Sequence, residues 1–177
     1  MITYRKQPCL KPQDLVVALK IAIGGDIAPS FAQLARELFM SASETHAAAQ
    51  RAITSRLLEH HTGSLSANRA SLQEFVLHGL RYAFPAVEGP VTRGMPTGVS
   101  ALHLSGMFDQ SRSLPQVWPD AGGEVRGPSL YPLYPTVPAA CRVDDALYRV
   151  LSALDALRGG AAREREVAQR EIIRILS

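Results

Sequence analysis

The stretch SFAQLARELFMSASETHAAAQRAITSRLLE, residues 30–59, decides the fold. Ser30 is a helix-capping residue, and Phe31, Leu34, Ala35 and Leu38 follow it at helical spacing. Leu38-Phe39-Met40 is a short apolar turn. Ser41 then caps a second helix, and Glu44 three residues on completes the S-x-x-E pattern of a capping box. This helix is expected to run to about Glu59, with the small residues Thr45, Ala48, Ala49 and Ala52 along its inner face. Upstream, Pro12 suits a first helical turn, where a missing N–H costs nothing. Leu15, Val16, Leu19 and Ile23 repeat behind it, and Gly24-Gly25 stops the helix. Downstream, after His61-Thr62-Gly63-Ser64, Asn68 or Ser66 caps a fourth helix through Leu72, Phe75, Val76, Leu80 and Phe84, which Pro85 ends.

The fold class expected is mainly α: a tri-helical helix-turn-helix core, a Pro/Gly-rich irregular segment and C-terminal helices. The domains would be 1–84, 85–140 and 141–177. The middle segment holds nine of the twelve prolines and seven of the thirteen glycines, so continuous helix is excluded there. Short strands fit near 115–119 and 123–127, and residues 129–138 read as extended, polyproline-like chain. Trp118, Tyr131 and Tyr134 imply that the segment packs over the helices instead of acting as a flexible linker. They serve either that packing or a partner-docking surface. In the last region, Asp144 or Asp145 caps a helix carrying Leu147, Val150, Leu151, Leu154 and Leu157, and Gly159-Gly160 ends it. A final helix sets Ala168, Ile172, Ile175 and Leu176 against an alternating Arg/Glu face. That apolar stripe either packs within the chain or makes a dimer.

In a tri-helical unit the third helix presents its N-terminal residues to the major groove of DNA. The outward positions are then Ser43, Glu44, His46, Ala47 and Gln50. Gln50 suits adenine, Arg51 suits guanine or phosphate, and Ser41 and Ser43 lie where a helix N-terminus meets a phosphate. Arg93, in a Gly/Pro-rich loop, is a further phosphate or minor-groove candidate, as is Arg126.

Three runs extend this. They are LKPQDLVVALK from Leu10, FAQLAREL from Phe31 and MSASETHAAAQRA from Met40. Over Leu10 to Leu58 the chain resembles winged-helix or helix-turn-helix regulators of the MarR-like kind. The resemblance implies a homodimer that represses transcription. There are departures. Ala47 stands where such proteins often carry a basic residue, and Ser55-Arg56-Leu57-Leu58 replaces a common Ala-Gly-Leu-Leu. Residues 60–66 are too short for the expected β-hairpin wing. Phe84-Pro85-Ala86, Thr92-Arg93-Gly94-Met95-Pro96-Thr97 and Val117-Trp118-Pro119 are similar to bacterial regulators encoded beside nucleotidyltransferase-type toxins. That likeness implies an antitoxin-like or autoregulatory role.

Composition narrows the classes. The net charge of +3 permits nucleic acid without demanding it. Cys9 and Cys141, the only cysteines, give no CxxC pair and read as buried free thiols in a reducing cytoplasm. No stretch approaches the roughly 20 apolar residues of a membrane span, and the N-terminus lacks a signal-peptide pattern. His60-His61 has no third ligand at close spacing and reads as solvated helix-end histidines, so no metal site is expected. No nucleotide-binding, zinc-protease or serine-hydrolase motif occurs. Neither an enzyme nor a cofactor is expected. The partners expected are double-stranded DNA, a second copy of the chain and a toxin-like protein. The alternative reading is an antitoxin or adaptor that neutralises such a partner.

Overall fold

In the computed structural model, residues 9–25, 29–61, 64–108 and 114–177 are described. The chain is mainly α, with two small sheets. Helix α1 (Pro12–Ile23) starts with Pro12 in its first turn, and the Asp14 carboxylate accepts from the Lys11 backbone N–H at 2.8 Å. Leu15 to Leu19, Ile21 and Ala22 are all buried, so α1 runs through the core and not along its surface. Ser30 caps α2 (Phe31–Glu37) by accepting from Gln33 N, and Ser41 caps α3 (Ala42–Thr54) by accepting from Glu44 N. Glu44 does not reach back, so the capping box is half-formed.

Helix α3 stops at Thr54, short of the expected Glu59. Arg56 adopts a left-handed conformation (φ 60°). The Leu57 N–H bonds back to Ala52 O and the Arg56 N–H to Ile53 O. This is a Schellman termination, which sequence normally signals with glycine. The turn after α2 has the same construction. Phe39 is left-handed (φ 54°), Met40 N bonds Ala35 O, and Phe39 N bonds Arg36 O. An L-residue pays about 1–2 kcal/mol in this region, while glycine there costs about 0.5–1 kcal/mol in chain entropy. Arg56→Gly should therefore stabilise the protein by about 0.5–1 kcal/mol. The urea midpoint measures this, and a fall in it would show that the exposed Arg56 side chain makes a contact worth more than the strain.

After that turn, β1 (Leu58–His61) pairs antiparallel with β2 (Ser64–Ala67) in the register Leu58↔Ala67 to His61↔Ser64. The expectation that this stretch is too short for a hairpin is thus corrected. Four-residue strands suffice because Leu58 and Leu65 anchor them in the core. His60 and His61 lie on a strand and not at a helix end.

Asn68 caps α4 (Arg69–Glu74) by accepting from Ser71 N at 2.9 Å. A π-helical turn (Phe75–Gly79) interrupts the expected single helix before α5 (Leu80–Ala83). The Pro/Gly-rich segment, expected to be irregular, contains three strands. Strand β3 (Glu88–Pro96) pairs antiparallel with β4 (Val117–Pro119) and β5 (Val125–Leu130), and β4 meets β5 in parallel at Val117 and Ser129. The three strands close on one another. Glycine permits the closure. A Cβ on Gly94 would sit 2.0 Å from Trp118 O, and one on Gly127 would sit 1.6 Å from Pro115 O. Helix α6 (Leu102–Ser105) lies between β3 and β4 in the chain.

The polyproline-like reading of residues 129–138 fails at both ends, since β5 reaches Leu130 and α7 (Val137–Val143) takes Pro138 into its first turn. Asp144, not Asp145, caps α8 (Asp145–Gly159), accepting from Leu147 N at 3.0 Å. Helix α9 (Ala162–Leu176) lays Ala168, Ile172 and Leu176 into the core against α8, so this stripe packs within the chain. Lys20 ties the N-terminal helices to the C-terminal ones, reaching Glu37 at 2.8 Å and the α8 cap Asp144 at 2.7 Å. Trp118 is buried, with its indole N–H on Asp155. Tyr134 packs against the core and Tyr131 is exposed. Of the two thiols only Cys141 is buried, and burial pushes it well above the ordinary thiol range; Cys9 is exposed. Among the described residues no helix is long and apolar enough to cross a membrane.

Candidate nucleic-acid interface

Three elements position α3. Its small face (Thr45, Ala48, Ala49, Ala52) is fully buried, which brings the helix close to α1 and α2. The Phe39 turn sets its angle to α2. The last α2 carbonyls are satisfied from outside as well, because the Thr136 hydroxyl donates to Leu38 O at 2.7 Å. Opposite the buried face, Ser43, His46 and Gln50 are exposed, and Ser41 is exposed at the N-cap. Ser43, His46 and Gln50 fall at the spacing that puts residues along one side of a helix, while Ser41 is the N-cap, its hydroxyl taken by Glu44 N. The His46 ring meets Phe31 edge-on, with centroids 5.0 Å apart, so its orientation is set by α2.

Two expected contact residues are tied to α1. Arg51 points inward. Its Nε and Nη2 donate to both oxygens of Asp14 at 2.7–3.0 Å, and Nη2 also donates to Glu44 at 2.8 Å. Asp14 is completely buried. The hydrogen bonds to Asp14 hold the Arg51 guanidinium far above its ordinary range. Glu44 is occupied by Gln13 and Arg51, whose hydrogen bonds, Gln13's first, hold its carboxyl below the usual carboxylate range. Both residues thereby join α3 to α1. The sequence signal for this was Asp14 within an otherwise apolar helix face, which a first-turn carboxylate at a helix N-terminus conceals.

Arg93 is exposed but lies on β3 and not in a loop, in register with Arg126 on β5. The exposed row of α3 therefore carries neutral donors and acceptors and no lysine or arginine. Arg36 on α2 and Arg56 after α3 are exposed cations flanking it. A cleft of about 410 Å³ lies between the end of α3 and the hairpin, lined by Thr54, Arg56, Glu59, His60 and His61. Glu59 accepts there from Asn68 at 2.6 Å and contacts the His61 ring at 3.1 Å. Among the described residues no three His, Cys, Asp or Glu side chains group as metal ligands would.

Comparison with models of known protein families, with curated proteins and with solved structures finds no match to this chain.

Proposed function

We propose that the chain is a winged-helix DNA-binding regulator, a repressor or autorepressor, with α3 as the recognition helix and the β1–β2 hairpin as its wing. The observation that carries this is the uncovered row Ser43, His46 and Gln50, with Ser41 at the N-cap, on a helix whose opposite face is sealed in the core. The order of three helices and a hairpin supports it, since it is the order in which such proteins build a groove-reading helix and a flanking wing. Gln50 is the base-reading side chain, His46 and the serines its neighbours, and Arg36 and Arg56 the flanking phosphate contacts.

A labelled fragment of DNA from upstream of the gene tests this by anisotropy at several salt concentrations. Binding should weaken with salt only gently, because few cations border α3. Gln50→Ala should lose about 1–3 kcal/mol of preference for that fragment over random DNA while leaving random-DNA affinity unchanged. Equal preference in wild type and variant would remove Gln50 from the interface. A dimer, if formed, uses a surface other than the Ile172 and Leu176 stripe, which is spent within the chain.

One observation favours the second reading, an antitoxin-like or adaptor protein. The outward face of α3 has no basic residue of its own, which suits a protein surface better than a phosphate backbone. Co-purification with the product of the neighbouring gene, together with no shift of any upstream DNA, would select it.

A further inference from the structure

Two helical segments meet at a small concave pocket of about 160 Å³ whose polar lining is all donor-bearing. His78, Arg81 and Tyr82 come from the π-helical turn and α5, at i, i+3 and i+4. Arg165 and Gln169 come from α9, at i and i+4. Each set therefore shares one face of its own segment. Leu157 of α8 lines the apolar side. No carboxylate lines the pocket.

The nearby acidic residues of α9 are engaged elsewhere. Glu164 accepts from the Ala161 backbone N–H at 2.6 Å, and Glu166 faces Arg170. Neither Arg81 nor Arg165 has a carboxylate partner among the described residues. The Arg81 guanidinium lies 5.3 Å from the centre of the Tyr82 ring, which orients it without neutralising it. Arg165 is steadied by one bond, Nη1 to Gly160 O at 2.6 Å, which leaves other donors free. The π turn is the local device that supplies His78, and such turns recur at functional sites.

We propose that this pocket binds a phosphoryl dianion, either free phosphate or the phosphate of a small phosphomonoester. Two arginines, a histidine, a glutamine and a tyrosine line it from two elements, and arginine gives phosphate planar, bidentate recognition. The volume sets the size. It is well below the roughly 300–1,000 Å³ of sites for drug-sized ligands, so the pocket takes the phosphate and little else. Bound there, the anion would bridge α5 to α9. This site is independent of the DNA-binding reading, and its test contains no DNA.

The full chain is titrated in chloride buffer of fixed ionic strength with inorganic phosphate, with glycerol phosphate and with dimethyl phosphate, following backbone amides by nitrogen–proton NMR. The first two should saturate, shifting amides of residues 76–82 and 165–169, while the singly charged diester binds more weakly. Saturation by inorganic phosphate alone or by glycerol phosphate alone also supports the site and names its source. Arg81→Gln should weaken binding about tenfold or more. Gln169→Glu, which places a carboxylate in the pocket, should abolish it. Both changes spare the Arg165 bond to Gly160, and an unchanged far-field spectrum verifies the fold. Absence of saturable shifts with both dianions in the wild type, unchanged affinity in the two variants, or a stronger response to the diester would each overturn the proposal.

Discussion

Replacing Arg51 by alanine should cost about 3 kcal/mol of folding stability, the low end of what breaking a buried ion pair costs. Asp14 has no exposed surface, and without Arg51 its carboxylate keeps only the Lys11 backbone N–H. The low end applies because the Arg51 side chain is 22% exposed, so water reaches part of the guanidinium. Urea unfolding reads the loss directly. Removing both partners, as Asp14→Leu with Arg51→Met, should recover most of it, because the cost lies in the orphaned charge and not in the pair itself. A single-variant loss under about 1 kcal/mol would mean that the pair behaves as an exposed one. The result bears on function too. Under the proposed DNA-binding role, a loss of binding in an Arg51 variant would come through α3's attachment to α1, so Gln50 and His46 are the informative substitutions on that helix.

How far the sequence was legible depended on the kind of signal. Helix starts were readable because Ser30, Ser41 and Asn68 do what small polar caps do. Helix ends at Phe39 and Arg56 were not, since the left-handed residue there is not glycine. That one concealed turn lengthened α3 in the reading and removed the hairpin behind it. The middle segment was misjudged for a related reason. Proline and glycine usually mark the absence of sheet, whereas here Gly94 and Gly127 are what allow the strands to close. Strands were legible near Val117 and Val125 but not over Glu88–Pro96, which carries two prolines and two glycines. Of the expected contact residues, Ser43, His46 and Gln50 share an exposed face, because their positions follow from helical periodicity alone, and Ser41 is exposed as the N-cap. Arg51 and Glu44 follow from a partner thirty-odd residues away, which periodicity does not encode. The charge that made Arg51 attractive for phosphate is the charge the core uses.

The second large effect is expected at Asp155, which no motif singles out. It is 2% exposed on α8 and accepts from four donors. Thr97 Oγ1 and Trp118 Nε1 reach Oδ2 at 2.8 and 2.5 Å, while Arg158 Nε and Nη2 reach Oδ1 at 3.1 and 2.6 Å. Burial pushes its carboxyl above the usual carboxylate range, and Arg158, Thr97 and Trp118 pull against that. Arg158 is itself only 4% exposed. Asp155→Ala therefore strands a guanidinium, an indole N–H and a hydroxyl, and the loss should be about 3–5 kcal/mol. Because Thr97 follows β3 and Trp118 sits in β4, the damage should be read in the sheet. Trp118 fluorescence should shift toward the solvent-exposed value before the helical signal is lost. Asp155→Asn retains an acceptor for Trp118 and Thr97 but not the countercharge, and should fall between the two. If Asp155→Ala and Asp155→Asn were equally destabilising, the Arg158 charge alone would set the cost and the two neutral bonds would contribute nothing measurable. If neither exceeded about 1 kcal/mol, the sheet would be held to α8 by packing around Trp118 and not by this carboxylate.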